Sequence, residues 1–174
     1  MSPDNAPILK VSNVVKRFGG FHALDGLSFH VTSGEILGLV GPNGSGKTTA
    51  INVISGLYAP DGGEVDFDGA DIGGVASHRL VHRGINRTFQ IPKPFLSLTV
   101  RENIEVALAY GRAAVAPPAM ADLLNEYRLT EVADRPAADL NNAQQKMLDL
   151  VRALATRPRL LLLDELAEIG RAHV

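Results

Sequence analysis

The first third of the chain has alternating hydrophobic and polar positions. Residues 8–18 alternate and are rich in β-branched side chains, and residues 27–31 repeat this character after the turn-prone pair Asp25-Gly26. Alternation of this kind is typical of half-buried strands, so we expect an antiparallel pair here. A second pair of short strands is expected around the turn Asp68-Gly69.

Apolar runs and helical spacing characterise the remaining positions. Short apolar runs predict strands over residues 36–40, 85–89 and 160–163. Helical spacing predicts helices over residues 50–54, 99–110, 120–127 and 130–133, and a long amphipathic helix after Asn142 whose buried face is Met147, Leu148, Val151, Leu154 and Ala155. The expected fold is α/β, with an antiparallel β-subdomain and a helical subdomain over about residues 96–157.

A glycine-rich segment lies between the predicted strand at 36–40 and the helix at 50–54. Residues 41–49 read GPNGSGKTT and fit the P-loop pattern GxxxxGK[ST]. Backbone N–H groups must approach phosphates closely, and glycines remove the side chains that would obstruct them. Lys47 supplies charge for the β- and γ-phosphates, and the Thr48 hydroxyl suits Mg²⁺. The alternative is a glycine-rich turn with an accidental lysine, but the flanking strand and helix favour the P-loop.

Further candidates follow two of the predicted strands. Asp164 and Glu165 come directly after the leucine strand, at the end where α/β folds place their chemistry. We expect Asp164 in a Mg²⁺ shell and Glu165 to polarise an attacking water. Gln90 ends the strand at 85–89 and is a candidate to ligate Mg²⁺ and orient water, although alone it would be an ordinary loop residue.

Several other residues have competing interpretations. Phe18 precedes a Gly-Gly turn and either stacks on an adenine or is a core aromatic. Asp66 and Asp68 alternate with an aromatic residue and indicate a solvated strand face rather than metal ligands. His78 and His82 stand four apart in a predicted helix, but no third ligand is evident nearby, so zinc is not favoured.

Length and composition exclude several classes of protein. The 174 residues suffice for one domain or part of a larger one, and 45% hydrophobic content with a net charge of −2 indicates an ordinary globular protein. Basic residues do not outnumber acidic ones, so the composition gives no indication of a nucleic-acid partner. No cysteine occurs, which excludes disulfides and thiolate metal sites and agrees with a cytosolic location. No apolar run has the length of a membrane span, so any membrane role requires a partner.

These motifs, in this order, resemble those of the ATP-binding subunit of ABC transporters, with a likeness that covers residues 8–167. Phe18 matches the family's adenine-stacking aromatic, and residues 41–49 match its P-loop. Gln90 matches the Q-loop glutamine, and Asp164-Glu165 matches the Walker B pair. The resemblance therefore implies a P-loop NTPase core, ATP and Mg²⁺ as cofactors, and hydrolysis of ATP by in-line attack of water.

Residues 140–144 occupy the position of the family's signature segment, which is usually LSGGQ and here reads LNNAQ. In the family this segment reaches the γ-phosphate bound by a partner subunit. Asn141 can donate to a phosphate, but asparagine is also a strong helix N-cap, so capping alone explains one of the two asparagines. Asn142 and Ala143 replace glycines, and their side chains predict a weaker nucleotide sandwich.

The resemblance implies a complete set of site residues. Nucleotide contacts are expected from Phe18, Gly41, Pro42, Asn43, Gly44, Ser45, Gly46, Lys47, Thr48, Thr49, Asn141, Asn142, Ala143 and Gln144. Catalysis is expected from Lys47, Gln90 and Glu165, and metal binding from Thr48, Gln90 and Asp164.

The stretch VVKRFGGFHALDGLSFHV, the segment RTFQ and the pair Gln144-Gln145 look like the ATPases of branched-chain amino acid importers. This likeness implies a second ATPase subunit, permease subunits docked near Phe95, and a place at the cytoplasmic face of the inner membrane. The alternatives are a soluble ABC ATPase that serves another process, and a nucleotide-binding fragment without turnover.

The last seven residues, 168–174, read EIGRAHV and resemble one reading frame of a common sequencing adapter. We interpret residues 1–167 as a partial ATP-binding domain that is incomplete at its C-terminus, and 168–174 as an adapter-derived tail; the alternative is a genuine, unusual terminus. On this interpretation His173 is not the family's catalytic histidine. Loss of neighbouring strands is expected to leave an aggregation-prone edge.

Overall fold

The computed structural model describes residues 6–111 and 118–164, in two units of which the first ends at Leu80 and the second begins at Val81. The first unit is built on a four-stranded antiparallel sheet with the strand order β2-β1-β3-β4. Its strands are β1 (Pro7–Phe18), β2 (Phe21–Thr32), β3 (Gly62–Phe67) and β4 (Ala70–Asp71). The predicted antiparallel β-subdomain is thereby confirmed.

The hairpin between β1 and β2 turns at Gly19 and Gly20, and β2 begins earlier than its apolar pattern indicated. Asp25-Gly26 lies inside β2 rather than at a turn before it. The pairing register with β1 shifts there, and Gly26 has a φ of +76°. Glycine tolerates this left-handed conformation, so the pair marks a bulge within the strand.

Helix α1 (Lys47–Ile54) follows the glycine-rich segment and buries Ala50, Ile51, Val53 and Ile54. Its C-cap is Ser55, and the next residue, Gly56, has a φ of +71°. This is the left-handed C-terminal glycine that the sequence predicts.

Helix α2 (Ser77–Arg83) carries His78 and His82, and both side chains are exposed. In the described part of the chain, no three side chains that could ligate a metal lie in one cluster.

The strand predicted over residues 36–40 is not present. Ile36 and Val40 are 99% and 96% exposed, and no ladder hydrogen bond joins them to another described strand. A buried parallel strand requires a hydrogen-bonded neighbour and covered faces. The described residues of the first unit supply neither for this segment, so Ile36, Leu37 and Val40 stay exposed while Leu39 is half-buried.

The second unit combines a small parallel sheet with a helical core. Strands β5 (Ile85–Arg87) and β6 (Leu160–Leu162) pair in parallel. The helices are α3 (Val100–Ala109), α4 (Met120–Glu126) and α5 (Asn142–Ala155), with 3₁₀ turns at Thr130–Val132 and Ala137–Asp139. These bounds confirm the leucine strand, the helices predicted at 99–110 and 120–127, and the long amphipathic helix, of which Asn142 is the first residue. The helical piece predicted at 130–133 is instead a 3₁₀ turn.

The helices of the second unit enclose one apolar cluster. Its buried members come from the three helices, the 3₁₀ turns and the residues that flank those turns: Val100, Ile104, Ala107, Leu123, Leu124, Leu129, Val132, Ala133, Ala137, Leu140, Leu148, Val151 and Ala155. On α5, Leu148, Val151 and Ala155 are buried as predicted, whereas Met147 and Leu154 are half-buried. Among the helices described, none is long and apolar enough to cross a membrane. The domain boundary at 167 and the tail 168–174 lie outside the described residues.

Candidate nucleotide-binding site

The segment before α1 has the backbone of a loop that wraps a ligand with its amides. Gly44 and Gly46 have φ values of +81° and +91°, in the left-handed region that favours glycine. Gly46 is the N-cap of α1 and offers no side chain for capping. The first N–H groups of the helix are therefore available to a ligand, together with the positive end of the helix dipole.

A backbone contact explains why Gly46 carries no side chain, and Gly41 has little room beside the Ser45 side chain. A Cβ atom on Gly46 would lie 2.5 Å from the Ala23 carbonyl oxygen, and one on Gly41 would lie 2.7 Å from the Ser45 hydroxyl. At Gly44 a Cβ would meet nothing within 4 Å. Among the contacts and conformation of the chain itself, only the positive φ at this position favours glycine. The open space there is where a phosphate would approach the backbone.

Lys47 bends back over the loop that precedes it. Its Nζ donates hydrogen bonds to the carbonyl oxygens of Gly41 and Pro42, each at 2.8 Å. The ammonium group is thus held at the loop, and a phosphate chain would exchange these carbonyl contacts for phosphate oxygens. Thr48 is exposed and Thr49 is half-buried on the first turn of α1.

Phe18 is the last residue of β1 and is 45% exposed. It meets Tyr58 edge to face with ring centres 5.3 Å apart, and Lys16 Nζ lies 5.6 Å from its centre. This exposure is incompatible with the core-aromatic alternative. The role of Phe18 in stacking on an adenine stays a prediction.

The second unit places Gln90 and Asp164 after the carboxyl ends of paired parallel strands. The Thr88 N–H donates to the Leu162 carbonyl at 3.0 Å, so the ladder continues just beyond β5 and β6. Both predicted residues therefore leave the sheet at the same edge. Glu165 lies outside the described residues.

Asp164 fits a cation site in its chemistry. Its side chain is 8% exposed, and its Oδ2 is buried without a hydrogen bond from the described part of the chain. Arg87 Nη2 faces that oxygen at 3.8 Å, beyond hydrogen-bonding distance. A buried carboxylate oxygen without a hydrogen-bond donor is a suitable hard ligand for Mg²⁺.

The signature segment begins α5 with a capping box. Asn141 Oδ1 accepts from the Gln144 N–H at 2.9 Å, and Gln144 Oε1 accepts from the Asn141 N–H at 3.1 Å. The capping role that the sequence offered as an alternative is therefore present for Asn141. Asn142 and Ala143 are exposed beside it, and a phosphate contact by these residues stays a prediction.

Sequence reasoning missed two buried polar residues, Asp149 and Asn103, and the half-buried Arg152, all of which bond to the backbone around Gln90. Asp149 accepts from the Phe89 N–H at 3.0 Å, and Arg152 Nη1 donates to the Lys93 carbonyl at 2.8 Å. Asn103, fully buried on α3, bonds to the backbone of Phe95. The available signal was the place of Asn103 on the apolar face of a predicted helix, three residues after Val100 and four before Ala107.

The comparisons with known proteins agree with this geometry. The family model described as ABC transporter matches residues 24–168. The high-affinity branched-chain amino acid transport ATP-binding protein BraF of Pseudomonas aeruginosa is 38% identical, over 91% of this chain and 69% of its own length. The sulfate/thiosulfate import ATP-binding protein CysA of Bradyrhizobium diazoefficiens is 40% identical, over 90% of this chain and 46% of its own.

Solved structures show the same fold. The ADP conformation of an ATP-binding cassette of an ABC transporter superposes with a TM-score of 0.80 at 37% identity, over 97% of this chain and 73% of that one. A dimeric ATP-binding cassette bound to ADP and phosphate gives 0.78 at 28% identity, over 90% and 73%. The fold and the glycine-rich loop define a P-loop NTPase. More specifically, the chain belongs to the ABC transporter family.

Proposed function

We propose that this chain is the ATP-binding and ATP-hydrolysing part of an ABC importer. The observation that carries the proposal is the loop before α1, where Gly44 and Gly46 adopt left-handed conformations and Lys47 holds its ammonium at the loop. This arrangement presents backbone N–H groups and one cation to a phosphate chain. Membership of the ABC transporter family supports ATP as the nucleotide.

In the proposed reaction, the chain lowers the barrier mainly by positioning the reactants and by stabilising negative charge on the phosphates. Lys47 balances charge on the β- and γ-phosphates, and Phe18 stacks on the adenine. Thr48, Gln90 and Asp164 would hold Mg²⁺, which neutralises negative charge on the phosphates when bound. Glu165 accepts a proton from the attacking water, which Gln90 helps to orient.

The proposed partners are a second ATPase subunit and a pair of permease subunits. Ile91, Phe95 and Leu96 are 75%, 46% and 54% exposed on the segment after Gln90, and apolar exposure of this kind supports docking of a partner helix. Docking to a permease would place the chain at the cytoplasmic face of the plasma membrane.

We propose branched-chain amino acids or related small solutes as the transported class. The stretch VVKRFGGFHALDGLSFHV, the segment RTFQ and the pair Gln144-Gln145 support the choice, together with the 38% identity to BraF over 91% of this chain. Uptake of labelled leucine and sulfate into vesicles that carry the chain with its permease would test it. ATP-dependent uptake of sulfate, and not of leucine, would contradict the proposed solute.

Nucleotide binding is tested with a fluorescent ATP analogue and the variant Lys47→Ala. We expect affinity to fall at least about tenfold because a charge-assisted phosphate contact is lost. Lys10→Ala is the matched control, since Lys10 is exposed on β1 of the same unit and has no expected ligand contact. Equal affinities for the two variants would contradict the P-loop assignment.

Hydrolysis is tested by phosphate release with Mg²⁺ present and with the metal chelated. We expect Asp164→Asn to reduce turnover roughly a hundredfold, because a neutral amide is a poorer Mg²⁺ ligand than a carboxylate. Binding of ATP without any turnover by the unmodified chain would instead support the alternative of a nucleotide-binding fragment.

The signature segment predicts a weak nucleotide sandwich. Asn142 and Ala143 are exposed at the N-terminus of α5, where side chains hold back an approaching phosphate. Changing both to glycine is expected to strengthen ATP-dependent dimerisation several-fold, measured by sedimentation in the presence of ATP. Asp122→Gly on α4 is a control for glycine substitution in an exposed first turn. An unchanged dimerisation constant would contradict this prediction.

A further inference from the structure

The segment that follows β5 is fastened to helix α5 through its backbone. Asp149 Oδ2 accepts the Phe89 N–H at 3.0 Å, immediately before Gln90. Three residues beyond Gln90, the Lys93 carbonyl accepts from Arg152 Nη1 at 2.8 Å. Two side chains one helical turn apart on α5 thus hold the backbone on both sides of Gln90.

The ion pair of Asp149 and Arg152 carries a desolvation cost, because both charged side chains are largely removed from water. The side chains of Asp149 and Arg152 are only 7% and 19% exposed, and their charged groups lie 3.6 Å apart. Burial raises the pKa of the Asp149 carboxyl, while the N–H of Phe89 and the charge of Arg152 act against that rise. Apolar residues would pack this face of α5 at lower desolvation cost. We infer that the polar pair serves the position of the segment more than the stability of the helix.

The far end of the segment is held by a different helix. Asn103 on α3 is fully buried, accepts from the Phe95 N–H at 2.8 Å and donates to the Phe95 carbonyl at 3.0 Å. The guanidinium of Arg152 also stacks on the Phe95 ring, with its carbon 4.9 Å from the ring centre. Residues 89–95, which we name the Gln90 segment, are therefore fixed at both ends by helices of the same unit.

Helix α5 also carries the signature segment at its N-terminus. Asn141 caps the helix, and Asp149 lies eight residues further along it. At 1.5 Å per residue this separation is about 12 Å, and α5 between them is continuous and packed against the apolar cluster. The Gln90 segment and the signature segment are therefore attached to the same helix.

We propose that Asp149 is a positioning residue that sets Gln90 by holding the adjacent Phe89 amide, and that α5 links this position to the signature segment. Arg152 completes the attachment at Lys93 and Phe95. The consequence for catalysis rests on the proposed ATPase function. The attachment itself rests only on the hydrogen bonds of the second unit.

Amide hydrogen exchange tests the attachment directly on this chain. Asp149→Leu is expected to speed exchange of the Phe89 amide at least about tenfold because its acceptor is removed, while the Phe95 amide held by Asn103 stays protected. Asp149→Asn is expected to give an intermediate rate, since its amide oxygen still accepts. Asp122→Asn, exposed on α4, is the control. Unchanged Phe89 exchange, or a uniform rise throughout the second unit, would overturn the proposal.

Kinetics test the consequence for Gln90. In the hydrolysing protein we expect Asp149→Leu to lower kcat about tenfold with the KM for ATP unchanged, and Asp149→Asn to recover part of that loss. A merely structural role would reduce the active fraction without rescue by the conservative variant. Wild-type kcat in Asp149→Leu would overturn the catalytic role of this residue. Failure of the proposed function would appear separately, as absent turnover in the wild type.

Discussion

Individual glycines of the loop before α1 are constrained in different ways. Gly46 combines a φ of +91° with a backbone oxygen, that of Ala23, 2.5 Å from where a Cβ would stand. Gly44 has a comparable φ of +81° but open space at the Cβ position. Gly46 is required both by packing against β2 and by its conformation. Gly44 is required, within the chain, by its conformation alone.

This difference predicts unequal costs for two alanine substitutions. Gly44→Ala is expected to lower the free energy of unfolding by roughly 1–2 kcal/mol, the cost of a left-handed alanine. Gly46→Ala should cost clearly more, because the Ala23 carbonyl cannot move without disturbing β2. Urea denaturation of the two variants measures both values. Equal losses would show that the loop moves freely away from β2.

At the scale of elements, the two long helices of the second unit begin in the same way. Helix α3 starts with Thr99 and Glu102, and α5 with Asn141 and Gln144, and in each pair the two side chains exchange hydrogen bonds with backbone N–H groups. Both pairs occur where the chain enters the apolar cluster. Each cap therefore fixes the direction in which a helix meets the core.

The cap of α3 gives a direct stability prediction. Thr99→Ala removes the acceptor of the Glu102 N–H and is expected to cost about 1 kcal/mol in the free energy of unfolding. Thr130→Ala is the matched control, because the 3₁₀ turn there shows no side-chain cap. Chemical denaturation followed by circular dichroism measures both. A loss in the control as large as in Thr99→Ala would contradict the capping role.

The same cap predicts a dependence on pH. The backbone N–H and the hydroxyl of Thr99 hold the pKa of Glu102 below its ordinary value of 4.5. A lowered pKa in the folded state means that the stabilisation is present above pH 4.5 and is lost as pH falls through the folded value. Glu102→Gln should therefore weaken this acid dependence in denaturation measured from pH 6 to pH 3. An identical acid dependence in the variant would show that Glu102 does not contribute.

For the whole molecule, local patterns predicted much of the fold and non-local pairing did not follow from them. The P-loop glycines, the α1 C-terminus at Gly56 and the leucine strand β6 were recognised because each shows in a short run of neighbouring residues. The prediction of a strand at 36–40 was wrong because an apolar run does not reveal whether a partner strand is present. The bonds of Asp149 and Asn103 to the Gln90 segment were missed because their partners lie 60 and 8 residues away.

The exposed run at 36–40 predicts self-association of the chain. Ile36 and Val40 are almost fully exposed. An unpaired backbone segment with exposed apolar side chains pairs readily with the same segment of another copy. We expect association that rises with protein concentration in light scattering, and we expect Ile36→Lys with Val40→Lys to suppress it. Phe21→Lys with Leu57→Lys adds the same charge at residues 62% and 54% exposed and is the matched control. Equal suppression by both pairs would assign the effect to net charge, and a soluble wild-type monomer with sharp, reversible unfolding would contradict the prediction entirely.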